Sequence, residues 1–220
     1  MTILLLLLGP TLLIFLGLQV IGSVPVTFLL FYSWLFLVPL ADFYFVKKGS
    51  RRDILHSLGI HLHRKNVLLG LAFGAVFLLC ILIVGSFFHT VFFDKNDLLQ
   101  LLARWNFSGN LIAGLIAILM LVNPILEEVY WRGYMHQKLS GKHKPGAVIL
   151  MTALFYSLYH FLSVVPLFAW PYNVLMVVPV FLAGVIWGYM RQQQHSLVGS
   201  IISHILADVG IMGIYLLFIA

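Results

Sequence analysis

Apolar residues run along this chain in stretches of about 20, the length a helix needs to cross the ~30 Å of a bilayer's hydrocarbon. Short polar segments separate them. The stretches run from Thr2 to about Ile21, Val26 to Val46, Val67 to Phe88, from Ser108 past Pro124 and beyond Arg132, Gly146 to Val164, Trp170 to Met190, and from Ser196 to the C-terminus. The predicted fold class is all-α: a polytopic membrane helix bundle of about seven transmembrane helices. Punctuation agrees with these limits. Gly22-Ser23-Val24-Pro25 makes a tight turn, Gly141 to Pro145 closes the fourth span, and Pro166 stops the fifth. Pro39 is expected to kink the second span. Gly70 with Gly74, and Gly184 with Gly188, have the spacing that lets helices approach closely. Two short surface helices are expected outside the spans, at 54–59 and at 97–102. The first span lacks a basic leader and a small-residue cleavage site, so it reads as a retained helix, not a signal peptide.

Composition sharpens this picture. Of 220 residues, 62% are hydrophobic and only 9% charged, where a soluble domain carries roughly a quarter. The net charge of +6 is no nucleic-acid signal, because the basic residues gather between spans. Lys47, Lys48, Arg51, Arg52, Arg64, Lys65, Lys138, Lys142, Lys144 and Arg191 fall on one side, and Lys95 and Arg104 on the other. That bias predicts a cytoplasmic N-terminus and an extracytoplasmic C-terminus. Cys80 stands alone in an apolar run, which excludes a disulfide framework and suggests a small buried hydrophobe. Asp42 reads as an interfacial partner of Lys47 and Lys48. His56, His61, His63, His136, His143 and His195 read as solvated loop residues, with His89 at the outer boundary.

Against this background six ionisable residues stand out within spans: Glu127, Glu128, Arg132, His160, His204 and Asp208. Charged groups in hydrocarbon cost ~2.5–3.5 kcal/mol each on insertion scales, so they mark function by default. All six lie on three of the last four spans. Glu128 and Arg132 are four apart and share a helix face, where each makes the other tolerable. Glu127 points about 100° away with no local cation, which makes it the candidate general base. His204 and Asp208 form a second i,i+4 pair, able to bind a metal, relay protons or stabilise an oxyanion. His160 has Tyr156 and Tyr159 beside it. Taken singly, a His or Tyr in a span is a helix–helix hydrogen bond and a Glu–Arg pair is a brace. Taken together, packing alone does not explain their confinement to these spans.

The series Glu127-Glu128-x-x-x-Arg132, aromatic-x-x-x-His160 and His204-x-x-x-Asp208, in this order on successive spans, resembles the CAAX-protease and bacteriocin-processing family. These are intramembrane glutamic endopeptidases related to the Ras-converting CAAX endopeptidase. The resemblance covers about Ser108 to Ile219, which implies one integral-membrane domain over 1–220, with N-terminal helices at 1–107 and a four-helix catalytic core at 108–219. It implies that Glu127 and His160 activate a water, that His204 and Asp208 bind the oxyanion, and that Glu128 and Arg132 support them. Two positions depart from the pattern. Tyr156 stands where the family usually has Phe, and Asp208 where many members have Asn. An ionised Asp cannot donate a hydrogen bond to an oxyanion.

No cofactor is expected, although Glu127, His160, His204 and Asp208 include plausible zinc ligands and zinc chemistry stays open. The His-Glu-x-x-His helix of zinc proteases is absent. The implied partners are a membrane-associated peptide or protein substrate and the lipid bilayer, and no nucleic acid. Prenylated CAAX proteins and pheromone or bacteriocin precursors are all compatible substrates. The competing function class is a non-hydrolytic membrane protein of immunity or proton-coupled transport type, using the same residues to hold a partner or relay protons.

Overall fold

The computed structural model describes residues 2–47 and 58–220. Among these, eight helices account for the regular structure: α1 Ile3–Ile21, α2 Val24–Phe45, α3 Arg64–Phe92, α4 Lys95–Arg104, α5 Gly109–Ser140, α6 Pro145–Val164, α7 Tyr172–Gln194 and α8 Val198–Ile219. All but α4 are long and apolar enough to cross a membrane. The protein is an all-α, multi-pass membrane bundle. The helix expected at 54–59 lies largely outside the described residues. So do Lys48, Arg51, Arg52 and His56.

The short helix α4 forms for local reasons. Asp94 caps it by accepting hydrogen bonds from the backbone N–H groups of Asn96 (2.8 Å) and Asp97 (3.0 Å), donors that a helix start otherwise leaves unpaired. It is tied inward where Val24 N–H donates to the carbonyl of Trp105 at 2.7 Å. Pro39 sits inside the regular part of α2, and wider π-type turns follow at Asp42–Lys47.

Helix α5 is the hub, packing against α2, α6, α7 and α8. Tyr130 carries it to the N-terminal helices: its hydroxyl donates to the Leu6 carbonyl at 2.7 Å and accepts from Trp34 Nε1 at 3.0 Å. At one end of the bundle Lys138 Nζ meets both oxygens of Asp42 at 2.9 Å. Among the described residues the partner of Asp42 is therefore a residue of α5, because packing brings the end of α2 against that of α5.

Helices α3 and α8 approach each other closely. A Cβ at Gly70 would lie 2.6 Å from the Gly199 carbonyl oxygen, and one at Gly74 would lie 3.1 Å from the Ser203 Cα. Gly184 and Gly188 do the same for α7 against α6, meeting Ala153 and Ile149. With no hydrophobic force between helices in lipid, such close packing replaces it. Cys80 is exposed on the outer face of α3, contrary to the expectation of burial. In a membrane bundle the outer face is itself apolar, so apolar sequence does not distinguish the two.

Gly70→Leu should separate α3 from α8 and lower the melting temperature in detergent, at a cost of about 1–3 kcal/mol for overpacking. Gly114→Ala, at a position with open space around it, is the control and should change little. Equal melting of the two variants would contradict the close-packing account.

Candidate active site

The polar residues are assembled on a modified stretch of α5. Residues Asn123–Glu128 are α-helical, flanked by π-type turns at Ile118–Val122 and Val129–Met135. Pro124 has no N–H to give to the preceding turn, which favours the first widening. Within the second, Arg191 Nε of α7 donates to the backbone carbonyl of Arg132 at 3.0 Å.

Glu128 and Arg132 are both fully buried and pair as their spacing suggests, with Nη1 3.0 Å from Oε1. The guanidinium has further support. Its Nη2 donates to the Gly184 carbonyl at 3.2 Å, and its carbon lies 4.4 Å from the Tyr156 ring centre and 5.2 Å from that of Trp187. Glu128 has a second role. The same Oε1 faces His204 Nδ1 at 3.2 Å. A carboxylate only accepts, so Nδ1 carries the proton and the imidazole is held in one orientation. Trp187 fixes the ring plane by stacking on His204, with centroids 4.1 Å apart, while its Nε1 donates to Ser203 Oγ at 3.1 Å.

The other nitrogen of His204 points into the cluster. Nε2 lies 3.4 Å from Tyr156 Oη, 3.6 Å from Glu127 Oε2 and 3.7 Å from Asp208 Oδ1. Glu127 is only 2% exposed, yet Oε2 accepts no hydrogen bond from the described residues. Asp208 is the more open member, its side chain 14% exposed, and Asn123 Nδ2 donates to its Oδ2 at 3.4 Å. Tyr32 of α2 donates in turn to Asn123 Oδ1 at 3.2 Å.

Five of the six sequence-selected residues therefore form one network. His160 stands beside it. Its Nδ1 donates to the Tyr156 carbonyl at 2.9 Å, and its ring lies 4.5 Å from those of both Tyr156 and Tyr159. No hydrogen bond or ion pair among the described residues joins it to a carboxylate. Because its own helix takes the Nδ1 proton, the lone pair is left on Nε2. No three His, Cys, Asp or Glu side chains among the described residues are grouped to hold a metal ion.

Four contributors escaped the sequence reading: Asn123, Tyr32, Trp187 and Arg191. Asn123 carried a legible signal, being one helical turn before Glu127 and therefore on its face. Two readings are corrected. Arg191, read as a loop residue, and His136, read as a solvated one, are buried, at 9% and 6% exposure, because α7 continues past its expected end at Met190 to Gln194 and packs on α5 there. His143 and His195 are exposed as expected.

Arg132→Ala would leave Glu128 buried without its cation and the Gly184 carbonyl without its donor. Breaking such a pair costs about 3–5 kcal/mol. Folded yield and thermal stability in detergent should fall more than activity per folded molecule. Unchanged melting would count against the bracing role.

Against known proteins, no curated protein and no solved structure shows significant similarity to the chain. A family profile does: residues 108–210 match the one described as Rce1-like, type II CAAX prenyl endopeptidase. That segment contains Glu127, Glu128, Arg132, His160, His204 and Asp208, and over it, a little under half of its length, the chain is similar to the CAAX prenyl endopeptidases.

Proposed function

We propose that this protein is an intramembrane endopeptidase that hydrolyses a peptide bond of a membrane-associated substrate with a water activated by Glu127 and His160. The observation that carries the reading is Glu127: a carboxylate buried in the bundle, with one oxygen free of hydrogen bonds and 3.6 Å from an imidazole nitrogen. Glu128 also has one unpaired oxygen, but its other oxygen is held by Arg132 and His204, whereas no Arg or Lys pairs with Glu127 among the described residues. A general base needs one oxygen available to a proton.

The chemistry runs as follows. A water donates its proton to Glu127 or to the lone pair on His160 Nε2, while its oxygen bonds to the peptide carbonyl carbon. The carbonyl π pair moves onto oxygen, and a tetrahedral oxyanion forms. With Nε2 protonated, His204 donates to that oxyanion from a position already fixed by Glu128 and Trp187. Preorganisation of this kind avoids reorientation during the reaction. Collapse of the intermediate breaks the C–N bond, and the proton taken from water passes to the leaving amine. Glu128 and Arg132 touch no reacting atom in this scheme; they hold His204.

A prenylated CAAX-type peptide or a pheromone or bacteriocin-type precursor suits a site in this setting, since either presents its scissile bond next to a membrane-embedded segment. The Lys/Arg bias supports a cytoplasmic N-terminus, and with it a catalytic cavity toward the cytoplasmic half of the bilayer.

Glu127→Gln should abolish turnover with the fold intact, because it removes the base at almost constant volume. Retained turnover in that variant would move the base to another residue, Glu128 first. Treatment with 1,10-phenanthroline should leave activity unchanged, since the base and the oxyanion donor are both side chains. Loss of activity on metal removal, with recovery on zinc addition, would replace this mechanism by a metal-dependent one.

A further inference from the structure

An ionised Asp208 only accepts hydrogen bonds, so it gives the oxyanion nothing. An amide stands beside it. Asn123 is 9% exposed, sits one turn before Glu127 on the same face of α5, and points its Nδ2 at Asp208 Oδ2 over 3.4 Å.

The orientation of that amide is determined from both ends. Asp208 accepts from Nδ2, and the Tyr32 hydroxyl, on a different helix, donates to Oδ1 at 3.2 Å. A carboxamide has two N–H donors. One is directed at Asp208, and the other has no partner among the described residues. Asn123 Nδ2 and His204 Nε2 both converge on the single carboxylate of Asp208, at 3.4 and 3.7 Å. These distances are long for charge-assisted hydrogen bonds, so both donors have room to turn to a neighbouring oxyanion.

We propose that Asn123 is the amide donor to the substrate's carbonyl oxygen and to the oxyanion formed from it, and that Asp208 and Tyr32 are positioning residues that aim it. The inference rests on the peptidase reading.

The test uses the full-length protein in detergent and a quenched fluorescent peptide ending in S-farnesyl-cysteine, two aliphatic residues and Met. Asn123→Ala should lower kcat by about 10²–10³, the loss usual for one oxyanion donor, with KM nearly unchanged and the same melting temperature. Asp208→Asn added to Asn123→Ala returns an amide to α8 and should recover at least about tenfold of that loss, which a purely structural role of Asn123 does not predict. Tyr32→Phe should lower kcat by a smaller factor with KM held. Wild-type turnover matched within about threefold by Asn123→Ala overturns the inference and leaves the peptidase reading standing. A loss in Asn123→Ala without rescue by Asp208→Asn overturns it as well. No turnover by the wild type on this peptide or on a panel of membrane-protein substrates removes both.

Discussion

One oxygen atom sets the geometry of this protein. Glu128 Oε1 lies 3.0 Å from Arg132 Nη1 and 3.2 Å from His204 Nδ1, with no exposure of either Glu128 or Arg132. A carboxylate in the interior of a membrane bundle is tolerable only where donors are fixed against it, and removal of either partner leaves an expensive charge. Helices α5 and α8 are therefore held at one separation and one rotation. The small residues at Gly70, Gly74 and Gly199 permit that separation by letting α3 press on the back of α8.

Around this joint the aromatic residues supply what charges alone do not, which is direction. Trp187 stacks on His204 and lies under the Arg132 guanidinium, while Tyr156 touches Arg132 with its ring face and His204 with its hydroxyl. The ring faces attract the cation without offering a competing hydrogen-bond acceptor. Arg132 is left free to spend its donors on Glu128 and on the Gly184 carbonyl. The result couples α5, α6, α7 and α8 through four or five side chains, so that no one helix can rotate without disturbing the others.

The legible part of this architecture was the part set by local spacing. Apolar runs gave the seven spans to within a few residues. The i,i+4 rule gave Glu128 with Arg132 and His204 with Asp208, since both pairs are fixed by the pitch of one helix. What was not legible depended on pairs between helices. That Glu128 would bind His204 follows only from how α5 meets α8, and Trp187 in sequence is one more apolar residue. Arg191 and His136 looked like loop residues because a polar residue near a span's end is read as solvated. They are buried because α7 runs on past Met190 to Gln194 and packs there on the end of α5. Cys80 failed in the opposite direction, since apolar sequence in a membrane protein marks the lipid-facing surface as readily as the core.

Exposure also divides the network into two ends. Glu128 and Arg132 are sealed, and Glu127 and His204 each show 2%, whereas Asp208 shows 14% and Asn123 beside it 9%. In the peptidase reading proposed above, a substrate carbonyl approaches where side chains remain reachable, so the sealed Glu128–Arg132 end holds the machinery and the end at Asp208 and Asn123 receives the reacting bond.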